Sequence, residues 1–236
     1  MKFEQLFLAS LFSTLLAEDY IFDVTGDGLK VSTDEYPFIA RLSTYGPCTG
    51  SLVANDLILT AKHCFFDSNG KKEKLTGTAK FNDPRKLKQD RGEIKRKIRF
   101  VKDYPGSDLA LAKLDKKVTG INPVKISKKR VEPGDSVKAV GFGMHGFQKR
   151  DYHLRHIDLK VSEVRQDWIY TSVGKNNEGP CAGDSGGPLL VKNGGEWAVV
   201  AALKGAGYDC RTNITVGDDR WSSVRVMGSD DLHKYG

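Results

Sequence analysis

The 236-residue sequence predicts an all-β protein. Short apolar runs recur along it, each closed by Gly, Asn, Asp or Pro, the alternation of strands and turns. Glycine is abundant, at 25 residues, and glycine weakens helices while serving tight turns. Helical periodicity is scarce, which favours a layered or closed β architecture over a bundle. Many short strands of this kind build a sandwich or a barrel.

The elements follow in order. At the N-terminus Lys2 precedes an apolar run from Leu6 to Leu16, and Ala17 supplies a small residue for cleavage. Residues 1–17 therefore read as a signal peptide, too short to span a bilayer and followed at once by Glu18-Asp19. No other window approaches transmembrane length, so a secreted, extracellular protein with no membrane attachment is expected. Strands are expected at Pro37–Leu42, Ser51–Thr60, Leu109–Leu114, Val137–Gly141, Ile157–Val161 and Trp197–Leu203. In the fifth, Ile157, Leu159 and Val161 alternate with Asp158 and Lys160, which marks a half-buried strand. Around Asn122–Pro133, Pro123, a basic cluster and Pro133-Gly134 interrupt the pattern and suggest a linker between halves of similar size. Ser229–Tyr235 is the best candidate for a helix, and it is short.

The net charge of +7 is concentrated. Residues 71–102 hold thirteen Lys/Arg against four Asp/Glu, a local +9, densest at Lys95, Arg96, Lys97 and Arg99. Such a run is commonly a solvated strand face; its sharper reading is a surface for polyanions such as heparin-like glycans, acidic proteins or anionic lipid. No aromatic residues interleave the charges in a nucleic-acid-binding pattern, so no nucleic-acid partner is expected. Four cysteines, Cys48, Cys64, Cys181 and Cys210, fit an oxidising compartment and allow three pairings. No C-x-x-C occurs, so a zinc site has no support. Asn213-Ile214-Thr215 is a glycosylation sequon.

Three segments carry chemistry. In Leu59-Thr60-Ala61-Lys62-His63-Cys64 a histidine ends an apolar strand, and in Ser107-Asp108-Leu109-Ala110-Leu111 an aspartate enters one. In Gly183-Asp184-Ser185-Gly186-Gly187-Pro188-Leu189 a serine sits among glycines, which are costly to order without a reason. Singly, these are a structural histidine, a turn acid and a tight turn. Together they supply a base, an orienting acid and a nucleophile.

LTAKHC, SDLALAKL and GDSGGPL, in that order, resemble the histidine, aspartate and serine motifs of the chymotrypsin-like (trypsin-fold) serine proteases. The resemblance runs from about Val24 to Val226. It implies two six-stranded antiparallel Greek-key β-barrels with a short C-terminal helix. The protease domain would occupy residues 24–236, with barrels over about residues 24–122 and 134–226 and a short propeptide at 18–23. It implies a secreted serine endopeptidase, a monomer acting on protein or peptide substrates without cofactor or metal. His63 would be the base, Asp108 its orienting partner and Ser185 the nucleophile. The N–H groups of Gly183 and Ser185 would form the oxyanion hole. The expected disulfides are Cys48–Cys64 and Cys181–Cys210.

The sequence also departs from that family. Activation there frees an N-terminal ammonium that pairs with the acid before the serine, here Asp184. The matching position is Val24, but no basic residue precedes it. The residue six before the serine, at the floor of the substrate pocket, is Gly179 where a tryptic enzyme carries Asp. The facing wall reads Lys204-Gly205-Ala206, and the resemblance sets Lys204 near Asp108. Specificity is therefore expected not to be tryptic, with small or uncharged residues preferred; a lysine-lined pocket that accepts acidic residues is the other reading. The alternative is a catalytically weak or silent binding protein on the same fold, for which residues 71–102 offer a polyanion surface.

Overall fold

A computed structural model describes residues 29–31, 34–66, 77–82, 92–104, 107–145, 153–165, 168–172, 174, 179–206 and 222–226. Fourteen strands lie within these segments. They are β1 (Leu29–Lys30), β2 (Ile39–Ser43), β3 (Pro47–Ala54), β4 (Leu57–Ala61), β5 (Thr78–Asn82), β6 (Glu93–Asp103) and β7 (Leu109–Leu114). There follow β8 (Lys125–Ile126), β9 (Ser136–Gly141), β10 (Arg155–Arg165), β11 (Trp168–Thr171), β12 (Pro188–Asn193), β13 (Glu196–Ala206) and β14 (Ser222–Val226). A 3-10 turn, Lys62–Cys64, is the one helical element among the described residues.

The first barrel closes in the order β2-β3-β4-β7-β6-β5. In the second sheet β9 pairs with both β10 and β12, so β9-β10-β11-β14-β13-β12 also form a ring. Short strands β1 and β8 add to β10 and β13. Closure removes the exposed edges that would otherwise template aggregation.

Alternation dictates which way the strands face. In β10, Ile157, Leu159 and Val161 are buried while Asp158 and Lys160 reach solvent. In β6, Ile94, Ile98 and Val101 point inward, and Lys95, Lys97 and Arg99 point out. One apolar cluster fills the second barrel with Val137, Ile157, Leu159, Ile169, Leu189 and Leu203. The other fills the first barrel and extends between the two, joining Leu42, Leu52, Ile58 and Phe81 to Val140, Phe142, Leu190 and Val199. Tyr36 lies fully buried at this seam, edge-on to Phe38 and His156.

Two expectations need correction. The apolar run Ser51–Thr60 is a hairpin, β3 turning at Asn55-Asp56 into β4. These two turn-forming residues interrupt an otherwise continuous apolar stretch. Leu29–Lys30, assigned by sequence to the first barrel, pairs instead with His156 and Arg155 of the second. Extended backbone pairs wherever a free strand edge is available, and composition does not say which barrel supplies it. The signal peptide, the propeptide and the C-terminal helix lie outside the described residues.

Candidate active site

The site forms where three segments meet. β4 ends at Ala61, and the 3-10 turn that follows carries His63. β4 pairs with β7, Ala61 opposite Leu109, so the residue before Leu109 arrives beside the turn. That residue is Asp108. Its backbone carbonyl accepts the Lys62 N–H at 2.8 Å, and its Oδ1 accepts the His63 N–H at 3.0 Å. The His63 Nδ1 lies 2.7 Å from Asp108 Oδ2. Backbone and side chain of the aspartate thus fix both backbone and ring of the histidine. The carboxylate side chain is 13% exposed and the imidazole 41%, so the acid is sheltered while the base faces outward.

Ser185 lies in the loop entering β12. Its carbonyl accepts the Thr49 N–H at 2.9 Å, and Cys64 Sγ lies 3.7 Å from the same oxygen. The serine loop is thereby seated against the histidine turn. No hydrogen bond joins Ser185 Oγ to His63 among the described residues; such contacts often close only when substrate is bound. Cys48 and Cys64 are disulfide-bonded, tying β3 to the turn. Cys181 is also in a disulfide, while Cys210, its expected partner, lies outside the described residues.

The N–H groups around Ser185 alternate in use. Asp184 N–H bonds to the Cys181 carbonyl, Gly186 N–H to Leu203 and Gly187 N–H to Asp184. Those of Gly183 and Ser185 have no acceptor among the described residues. Unpaired backbone donors beside a reactive side chain are what an oxyanion requires. Gly183 has φ 104°, a conformation that side chains other than glycine's rarely take. Gly186 has φ 80°, and a Cβ there would overlap Thr60 Oγ1 and the Thr49 carbonyl. Glycine therefore serves two ends in this loop: left-handed backbone and close approach to β3 and β4.

Asp184 points away from the serine. Its Oδ1 accepts the Gly143 N–H at 2.7 Å and its Oδ2 the Cys181 N–H at 2.8 Å. A Cβ at Gly141 or Gly143 would overlap this carboxylate. Asp184 lines one small cavity with Gly141, Gly143, Pro180, Leu203 and Arg155, the last only 7% exposed. Val24, the expected activation partner of Asp184, lies outside the described residues.

Gly179 is buried at the start of the serine loop. Lys204 is exposed, at a bulge in the β13–β14 pairing, and its ammonium sits 4.7 Å from the centre of the Trp168 ring. Its interactions among the described residues do not include Asp108. Trp168 was not singled out from sequence; a lone aromatic opening a strand carries no local signal of a cation partner. Gly205 and Ala206 continue β13, and Asn213 lies outside the described residues. Thr49, too, was passed over, although Cys48-Thr49-Gly50-Ser51 meets the serine loop directly. The third feature sequence reading missed is Gly141-Phe142-Gly143, whose spacing of two glycines about one aromatic at the end of a strand was available as a signal.

Comparison with known proteins agrees with this geometry. The family model described as Trypsin matches residues 26–217. Human granzyme M is 28% identical over 192 residues, covering 71% of this chain and 73% of that protein. Human cathepsin G is 30% identical over 181 residues, covering 66% and 69% respectively. Trypsin epsilon of Drosophila erecta is 24% identical over 190 residues, covering 69% and 71%. With two β-barrels, a histidine–aspartate pair beside a glycine-bedded serine, and a family match over most of its length, the chain belongs to the trypsin family of chymotrypsin-like serine proteases.

Proposed function

We propose that the protein is a secreted serine endopeptidase in which Ser185, His63 and Asp108 form the catalytic triad. The observation that carries this reading is the alternation of paired and unpaired N–H groups in the serine loop. A loop shaped only for stability has no use for two unsatisfied donors flanking a hydroxyl. Asp108 Oδ2 accepts from His63 Nδ1–H, which leaves Nε2 as the base.

Ser185 Oγ attacks the scissile carbonyl carbon and its proton passes to His63 Nε2. The carbonyl oxygen becomes an anion held by the N–H groups of Gly183 and Ser185. Collapse breaks the C–N bond, and His63 returns the proton to the departing amine, leaving an ester on Ser185. Water then repeats the attack, giving its proton to His63, and the carboxylic acid departs as Ser185 recovers its proton. No step draws on a metal or cofactor.

Gly179 gives the pocket floor no charge to pair with Lys or Arg, which supports non-tryptic specificity. Residues 1–17 are removed as a signal peptide and 18–23 as a propeptide, so the active zymogen product, residues 24–236, begins at Val24, whose ammonium approaches Asp184. Asn213 carries a glycan. The enzyme acts extracellularly, as a monomer, on proteins or peptides. Among the described residues no helix is long and apolar enough to cross a membrane.

The test is hydrolysis of a defined peptide mixture by protein trimmed to Val24. Cleavage after small or uncharged residues, absent in Ser185→Ala, is expected. Cleavage only after Lys or Arg would contradict the specificity, and no cleavage by folded, trimmed protein would favour the silent binding alternative.

A second reading rests on β6, where Lys95, Lys97 and Arg99 are exposed on one long strand. Polyanion binding there would accompany proteolysis. Arg96 does not belong to that face, because its guanidinium donates twice to the Lys117 carbonyl, at 3.2 and 3.0 Å.

A further inference from the structure

Thr49 is fully buried in β3, and its polar groups converge on the serine loop. Its N–H donates to the Ser185 carbonyl at 2.9 Å. Its Oγ1 donates to the Gly183 carbonyl at 2.8 Å and accepts the Phe142 N–H at 3.1 Å. Its own carbonyl accepts Thr60 Oγ1 at 2.9 Å. The two carbonyls it holds belong to Gly183 and Ser185, the residues with unpaired N–H groups.

We infer that Thr49 is the positioning residue of the oxyanion hole, an inference that rests on the protease reading above. Holding the Gly183 carbonyl fixes the peptide plane between Gly183 and Asp184. The preceding plane is fixed independently, because the Ala182 carbonyl accepts the Met144 N–H at 2.9 Å. In a trans peptide the carbonyl and N–H point in opposite directions, so the Gly183 N–H is turned away from Met144. Gly183 is the joint between these planes, and glycine torsions are soft. With the Thr49 N–H on the Ser185 carbonyl, Thr49 thus holds the planes on both sides of the Asp184–Ser185 peptide that carries the Ser185 N–H. Without the threonine hydroxyl the Gly183–Asp184 plane can rotate about Gly183 and carry the Ser185 N–H out of line. The Phe142 donor orients the hydroxyl: since Oγ1 accepts there, its hydrogen is left for Gly183. Thr49 lies on the first barrel and the hole on the second, so the seam between barrels sets the geometry of the donors.

The effect belongs to the transition state, because the oxyanion exists only there. Loss of the hydroxyl should therefore lower kcat and leave KM unchanged. The probe is p-nitrophenyl acetate, a small ester that acylates a reactive serine without needing a specificity pocket. The protein is the secreted, trimmed chain as wild type, Thr49→Val and Thr49→Ser. Thr49→Val keeps the shape of the side chain and removes both side-chain hydrogen bonds; Thr49→Ser keeps the hydroxyl.

A fall in kcat of about 10- to 100-fold in Thr49→Val, at unchanged KM and restored by Thr49→Ser, is the expected result. Should Thr49→Val not fold, Thr49→Ala is read in its place, with the same expectation. Wild-type acylation with an unaltered kcat in the variant lacking the hydroxyl would overturn the inference and leave the protease reading standing. So would a serine variant as slow as the valine one, which would assign the effect to the lost methyl group. Failure of the wild type to acylate at all would instead overturn the protease reading, and this inference with it.

Discussion

At the scale of single residues, the account turns on how Asp108 holds His63. Two hydrogen bonds, to the backbone and to Nδ1, make the aspartate a fixture rather than a neighbouring charge. Asp108→Asn keeps the shape but favours the wrong tautomer, and kcat should fall about 10,000-fold with little change in KM, measured by steady-state peptide hydrolysis. Gly186 combines positive φ with contact against Thr60 and Thr49. Gly186→Ala should cost roughly 2–4 kcal/mol, read from urea unfolding. His63, Asp108 and Ser185 were legible in sequence because each lies in a local motif. Thr49 was not, because its meaning comes from a partner 134 residues away. The setting of Lys204 is likewise decided by distant partners, a strand bulge and the Trp168 ring.

At the scale of elements, the Cys48–Cys64 bridge and β10 carry the expectations. The bridge closes 16 residues of chain across the β3–β4 hairpin and the histidine turn. Replacing both cysteines with alanine should lower stability by about 2–4 kcal/mol, again by urea unfolding. On β10, His156 Nδ1 lies 3.0 Å from the Tyr36 hydroxyl. Burial and the nearby Lys138 lower the His156 pKa, against the opposing pull of Glu35 and Asp158. Burial, reinforced by Glu35, raises that of Tyr36, so the phenol stays protonated. The folded state therefore favours neutral His156, and the unfolded chain takes up its proton first as pH falls. Stability from this group is complete above the unfolded value of about 6.5 and declines as pH drops below it. His156→Gln should flatten that part of the profile of thermal midpoint against pH; an unchanged slope would contradict the assignment. Strand character was readable here from alternation, since one face of β10 meets the core. The β3–β4 hairpin was not separated because apolar residues lie on both sides of Asn55-Asp56.

At the scale of the whole molecule, two closed barrels bring a histidine–aspartate pair from one and a serine loop from the other to a common seam. Apolar patterning indicated many strands and a division near the middle; the number and closure of the barrels came through the family resemblance. That β1 joins the second barrel could not be read locally, because pairing partners are chosen by three-dimensional proximity. The surface has its own large-scale feature, the outer row of β6. Retention on a heparin column should fall with added salt and be lost when Lys95, Lys97 and Arg99 are replaced together by glutamine. Equal retention of the triple variant would place any polyanion site elsewhere.

The central claim is that Ser185 is an activated nucleophile. Its most direct test is titration of secreted protein with a fluorophosphonate probe, followed by mass spectrometry of the adduct and of the N-terminus. The account predicts one equivalent of label on Ser185, in a chain beginning at Val24, with none on Ser185→Ala. A folded chain trimmed to Val24 whose Ser185 takes no label would contradict it.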